Sequence, residues 1–287
     1  MRTIKFLYVL IAASALLLHA ESPPQDVDMT RAPLESITGL IPPEDLLSVA
    51  TAQNAVAEKA EVHVRAALKT LVDPSLPKVD FRDQGYVSPI KSQKICGSCW
   101  AFGTAGTVES AYAIANNKKI VHAAEQELLS CSGAGSCTGG YWAFNYVKQR
   151  GLPDEVDFPY QANDATECKE GIAHPYHLEN WAFVSSKREI PTVQEIKEAM
   201  STYGPVLAGI RATEAFQRYK GDTTFKEQAV GKINHAIIII GWDDSRNAWL
   251  IKNSWGKNWG NQGFGWVDYS CNSIGFGAAW ARARPKP

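Results

Sequence analysis

No surplus charge of either sign marks this chain. Its 29 lysines and arginines stand against 30 aspartates and glutamates, a net charge of -1. That balance offers no electrostatic footprint for nucleic acid or another polyanion. Long apolar runs are missing as well. Only Phe6–Leu18 comes near, at 13 residues, and a membrane helix needs about 20. No internal repeat is found, which argues against a solenoid or a propeller. What is there is an ordinary globular inventory of 287 residues, 45% apolar, enough for one large domain or two modest ones.

The first residues read as an export signal. Arg2 and Lys5 flank the start of the Phe6–Leu18 run, and Ala20 is the expected last residue before cleavage. A retained membrane anchor is the competing reading, and no charged stop-transfer flank supports it. Export places the chain in a secreted, periplasmic or lysosome-like compartment, where cysteines tend to pair. Residues 1–20 are thus a signal peptide, 21–76 a pro-segment or N-terminal extension, and 77–287 the body. From Glu21 to Leu76 nine acidic residues outnumber four basic ones, while the body is slightly basic. That fits a pro-segment lying on its own enzyme, and a solvated tail almost as well.

Within the extension, Glu21–Pro43 is Pro-rich and aperiodic, as a flexible arm would be. Leu46, Ala50, Ala57, Ala60, Val64, Ala67, Leu68 and Leu71 then recur at helical steps. An amphipathic helix is expected across Glu44–Leu71, either shielding a cleft or packing on the body. In the body, helices are expected over Cys99–Ala115, with Ser98 as cap, and over Glu125–Ser130 and Tyr141–Arg150. Thr192–Glu195 has a capping-box pattern, and Gly204–Pro205 closes that helix. Strands are expected at Val206–Arg211, His235–Ile240, Ala248–Lys252 and Phe264–Asp268. Helices first and strands later predict an α+β body of two halves.

The chemistry sits in Gln93–Lys94–Ile95–Cys96–Gly97–Ser98–Cys99–Trp100. A thiol at a helix N-terminus meets the positive end of the backbone dipole, which favours the reactive thiolate. Such a nucleophile needs a base. Of the six histidines, only His235 opens a buried-looking strand, a rigid place from which to aim an imidazole. Asn253 can accept the ring N–H and fix the tautomer, with Trp255 covering that bond. The Gln93 amide and the Cys99 backbone N–H would make a two-donor oxyanion hole. Other readings stay open for the cysteines. Cys96, Cys99, Cys131 and Cys137 would suit a four-thiolate zinc site, and Cys96–Cys99 a redox pair.

The order Gln93, Cys99, His235, Asn253 resembles that of the papain-like cysteine peptidases, and the likeness runs from about Leu76 to Phe264. Cys96–Trp100 resembles the family's nucleophile signature, and Val79–Arg82 its mature start. Glu125–Cys131, Cys137–Gly140, Phe158–Tyr160, Gly204–Val206 and Trp255–Gly260 resemble its further motifs. The resemblance implies a papain-like two-lobe fold, a helical lobe at about 85–185 and an antiparallel β-barrel lobe at about 186–287, with the cleft between them. It implies peptide hydrolysis through a thioester on Cys99, with His235 carrying the proton, Asn253 orienting it and Gln93 in the oxyanion hole. Peptides or proteins are the implied substrates, and neither a cofactor nor a metal is called for.

The resemblance also pairs Cys96 with Cys137 and Cys131 with Cys168, and leaves Cys99 and Cys271 free. Gly139 and Gly140 would pair with an extended substrate. Tyr141, Trp142, Gly209, Asn234 and Ala236, with Phe276 as floor, would line the pocket for the second residue before the scissile bond, and Trp255 would adjoin the substrate. No acidic residue falls there, so an apolar preference is expected. The short interval between Tyr160 and Cys168 leaves no room for an occluding loop, which favours endopeptidase action. The leader is short and lacks the family's long-helix motif. Intramolecular inhibition by residues 21–76 is therefore an expectation resting on its placement and its helix. A catalytically silent relative used as a binding module is the alternative, opposed by the intact set of four.

Overall fold

The computed structural model describes residues 28–285 apart from 63, 65 and 66. The expected export signal with Arg2, Lys5 and Ala20 lies outside the described residues, as does His63. Two leader helices come first, α1 (Leu34–Ile37) and α2 (Leu46–Glu61), then strand β1 (Lys78–Asp80) and the central helix α3 (Cys99–Ala115). Helix α4 (Glu125–Cys131), the hairpin β2 (Gly135–Ser136) and β3 (Gly139–Gly140), and α5 (Phe144–Gln149) complete the helical lobe. Strand β4 (Leu178–Phe183), α6 (Val193–Tyr203), β5 (Val206–Ile210) and α7 (Glu214–Gln217) follow. The chain ends through β6 (Thr224–Phe225), β7 (His235–Asp243), β8 (Ala248–Lys252), β9 (Phe264–Asp268) and β10 (Phe276–Ala283).

Helix α3 is buried on every side from Cys99 to Ala113, as its near-continuous apolar sequence requires. It packs on β5, β7 and β10, and so forms the seam between the lobes. Two glycines permit that approach. A Cβ on Gly106 would stand 2.6 Å from Ile238 Cδ1, and one on Gly103 would collide with Leu207 Cδ1. Bulk at either position would push the helix, and Cys99 with it, off the sheet.

The sheet has eight strands in the order β4-β10-β5-β7-β8-β9-β6, with β1 paired to β7. Every pair is antiparallel except β6 with β9. The expected barrel is not closed, because β4 and β6 end the sheet without pairing. The two ends have different causes. Strand β6 has only two residues. The outer edge of β4 is met by leader side chains instead of a strand. Gln53 Nε2 donates to Trp181 O at 2.8 Å, and the Asn54 amide bonds both Phe183 N and Phe183 O at 2.9 and 3.0 Å. An open edge strand is thereby satisfied without a neighbour.

Strands β4 and β10 were not expected from the sequence. Both are buried on nearly every residue, so neither shows the alternation that marks a half-exposed strand. Helix α2 also differs from the expected Glu44–Leu71. It runs from the Asp45 cap, which accepts from Ser48 N, to Glu61. Leu46, Ala50 and Ala57 face the body as expected, but Ala60 is exposed and Glu61 takes the buried place. Glu61 accepts from Arg282 and from Asn180 Nδ2. That buried ion pair holds the last turn where an apolar residue was anticipated. The helix packs on β4 and not over the cleft.

The segment before it is no free arm. Gln217 Nε2 donates to Met29 O and Ala32 O, both at 2.7 Å, and Met29, Ile37 and Leu40 are buried. Cys96–Cys137 and Cys131–Cys168 are disulfides, and Cys99 and Cys271 are free and buried. That pairing removes the four-thiolate and redox readings. Among the described residues no helix is long and apolar enough to cross a membrane.

Candidate active site

Cys99 opens α3 and His235 opens β7, and the packing of α3 on β7 brings the two starts together. The Cys99 sulfur lies against the backbone N–H groups of Ala236 and Gly39. His235 Nε2 is 2.8 Å from Asn253 Oδ1, which also accepts from Ser254 N at 2.8 Å. His235 Nδ1 has no hydrogen-bond partner among the described residues. Trp255 lies over the imidazole with ring centroids 4.3 Å apart.

Burial dominates the electrostatics here. It pushes the Cys99 thiol up to about 12, against the lowering pull of the Ala236 and Gly39 N–H groups. It pushes His235 down to about 4, with the Asn253 bond working the other way. Burial therefore favours the neutral thiol and the neutral imidazole in this state.

Gln93 is fully engaged. Its Nε2 donates to Cys96 O at 2.7 Å and to Ile37 O at 3.0 Å, while Oε1 accepts from Ser254 Oγ at 2.6 Å. Trp255 Nε1 donates to the same Ile37 carbonyl at 3.0 Å. The Cys96–Cys137 disulfide anchors the loop that carries Gln93. Ser98 does not cap α3 with its side chain; its hydroxyl meets Tyr160 OH at 2.6 Å, and Tyr160 OH donates to Gln93 O.

The leader runs through the cleft. Gly140 N donates to Gly39 O, and Ile41 N donates to Gly140 O at 2.9 Å, so Leu40 bridges Gly140 in parallel. Gly39 N and Leu40 N both donate to Asn234 O at 2.8 Å. A Cβ on Gly139 would stand 2.5 Å from Ile41 Cδ1 and 2.8 Å from Gly39 O, so only glycine admits the strap there. The arm that the sequence left free is thus the cleft's occupant, and of the two places expected for the helix it takes the one on the body.

Leu40 lies among residues that the sequence reading grouped as a pocket. Its Cδ2 would touch a Cβ on Gly209 at 3.0 Å, and it joins one apolar cluster with Trp142, Ala236, Tyr141 and Phe276. Tyr141 stacks on Trp142, and Trp142 Nε1 donates to Gly277 O. Asn234 takes part through its backbone only, since its side chain turns inward to both backbone groups of Ala212. Ala236 supplies its N–H to the thiol.

Three contributors escaped the sequence reading. Ser254 sits inside the Asn253 motif and was not given a part. Ile37–Ile41 holds Ile37, Leu40 and Ile41 just before Pro42–Pro43, and that boundary was its only signal. Glu109 is the sole charge in α3, a mark of a buried partner that went unread.

Over residues 76–279 the sequence matches the family described as papain family cysteine protease. The chain belongs to this family. It is 36% identical over 210 residues to the viral cathepsin of Heliothis zea nuclear polyhedrosis virus, covering 70% of this chain and 55% of that protein. It is 34% identical over 219 residues to the pro-cathepsin H of Bos taurus, covering 71% and 63%. The chain therefore spans less than two thirds of either relative's length. The digestive procathepsin L2 proteinase of Tenebrio molitor larval midgut superposes with a TM-score of 0.72 at 29% identity, covering 88% of this chain and 81% of that one. The two-lobe arrangement is that of the papain family, with an open sheet in place of a closed barrel.

Proposed function

We propose that this chain is a cysteine-type endopeptidase, exported as a preproenzyme and held shut by its own leader. Residues 1–20 are its signal, 21–76 its leader and 77–287 the peptidase. The observation that carries the reading is the 2.8 Å bond from His235 to Asn253 Oδ1. It commits Nε2 to the asparagine and leaves Nδ1 as the nitrogen open to the Cys99 proton.

In the reaction the Cys99 sulfur attacks the scissile carbonyl. Gln93 Nε2 and the Cys99 N–H take up the charge on its oxygen. A carbonyl already rests on Gln93 Nε2, that of Ile37 at 3.0 Å, which supports this assignment. His235 then protonates the leaving amine, and water resolves the thioester with His235 as base. Release of the leader would return water to the cleft and let thiol and imidazole become an ion pair. Leu40 in the pocket beside Gly209 supports an apolar preference at the second residue before the cleaved bond.

Labelling by a thiol-directed epoxide tests the reading. It should appear once the leader is removed, track the gain of peptidase activity, and vanish in Cys99→Ala. A leader-free protein that is labelled but hydrolyses no peptide would instead be a silent binding module.

A further inference from the structure

Below the catalytic seam lies a buried set of charges that the reaction does not use directly. Lys91 Nζ reaches Glu109, Glu125 and Glu155 at 3.0, 2.9 and 2.9 Å. Lys252 Nζ donates to Ser88 Oγ at 2.6 Å, and Ser88 Oγ in turn bonds Glu109. Lys252 precedes Asn253, so this network abuts the triad asparagine along the chain.

Between the charges and the asparagine is a cavity of about 20 Å³, lined by Lys91, Glu109, Glu125, Lys252, Asn253 and Ser254 together with apolar atoms of α3 and β7. Two of its lining groups have polar atoms that find no partner among the described residues, Glu125 Oε2 and Asn253 Nδ2. One is an acceptor and the other a donor. A water needs about 10–15 Å³ and two to four polar partners, and buried polar atoms are seldom left unbonded. The volume meets the first condition, and Glu125 and Asn253 are lining residues that carry unpaired atoms for the second.

We infer that this cavity binds one structural water, which accepts from Asn253 Nδ2 and donates to Glu125 Oε2. The site fixes the asparagine amide. Asn253 Oδ1 already serves two donors, His235 Nε2 and Ser254 N. A flipped amide would turn N–H groups on both and leave them unpaired. The water adds one further hydrogen bond to the unflipped amide, at the Nδ2 end that has no partner among the described residues. Glu125 is thus a positioning residue, acting through water and Asn253 on the His235 ring. Only this kinetic consequence rests on the peptidase reading above.

A high-resolution crystal structure of the full-length Cys99→Ala protein tests the site. It should show one solvent peak within about 2.7–3.2 Å of both Asn253 Nδ2 and Glu125 Oε2. An empty cavity, or a peak bonded to one of them alone, overturns the inference. Kinetics on the processed enzyme test the positioning role. Glu125→Gln keeps an acceptor and should stay within about threefold of wild type, whereas Glu125→Met should lower kcat about tenfold with KM little changed. A folded Glu125→Met enzyme with wild-type kcat overturns that role. Should Glu125→Met fail to fold, the solvent peak in a Glu125→Gln crystal decides in its place: present supports the site, absent overturns it. If even wild type hydrolyses no peptide, the peptidase reading fails while the peak still settles the water site.

Discussion

Gly39 lies against Gly97 so closely that a Cβ built on Gly39 would stand 2.6 Å from the Gly97 carbonyl carbon and collide with its oxygen. The leader passes Gly97, two residues before Cys99, at a place where its backbone fits and a side chain does not. Gly39→Val should therefore lift the strap from the cleft while leaving the body untouched. The full-length variant should react with a thiol-directed epoxide at least about tenfold faster than full-length wild type, since about 1.4 kcal/mol of strain already gives that factor. Equal rates would mean that the strap does not control access to Cys99.

The grip of α2 on β4 invites a second test. Asn54 satisfies both Phe183 N and Phe183 O, and its loss would strand an edge-strand donor and acceptor. Asn54→Ala should destabilise leader docking by roughly 1–3 kcal/mol. Thermal melting of the full chain should show the drop, and the processed body should melt as wild type. A matching drop in the processed body would show that Asn54 acts on something other than docking.

Acidity should loosen the leader. With the leader in place His235 is pushed down to about 4 from an ordinary 6.5, chiefly by burial. Between those values the docked fold refuses a proton that the open or unfolded chain accepts. This contribution is fully present above about pH 6.5 and is lost as pH falls toward 4, amounting to about 3 kcal/mol. Cys99 acts at the other end. Raised to about 12 from 9.0, it contributes fully below pH 9 and is lost as pH rises beyond it. Melting of full-length Cys99→Ala should thus decline from pH 6.5 to 4, and a further His235→Gln change should remove part of that slope. An unchanged slope would sink the assignment to His235.

Much of the site was legible because its chemistry is written in ordered motifs. His235 and Asn253 stand 18 residues apart, and one strand crossing from β7 to β8 brings them together. Helix α3 was legible to the residue, since its apolar run ends at Asn116 with no competing signal. What hid was set by tertiary contact. Strands β4 and β10 carry no alternation because both faces are covered. The Ile37–Ile41 strap has no periodicity because it borrows its hydrogen bonds from Gly140 and Asn234, and nothing in a single segment announces a partner elsewhere. Glu61 replaced Ala60 on the buried face of α2 because Arg282 waits opposite, a residue 221 positions away.

Leu40 offers the sharpest reading of specificity. It is 3% exposed and sits against Gly209, in one apolar cluster with Trp142, Ala236, Tyr141 and Phe276. Burying such a side chain contributes roughly 1.5–3 kcal/mol, and an unpaired carboxylate in its place would cost more than that. A synthetic leader carrying Leu40→Asp should therefore inhibit the processed enzyme about 100-fold less well than the wild-type leader, whereas Leu40→Phe should remain a good inhibitor. Substrates should obey the same pocket. Fluorogenic dipeptides with Leu or Phe at the second position before the cleaved bond should be hydrolysed faster than those with Arg, because none of the residues named around Leu40 is acidic. If the Arg substrates win while Leu40→Asp still abolishes inhibition, the leader and the substrate use different pockets, and Leu40 is no guide to specificity.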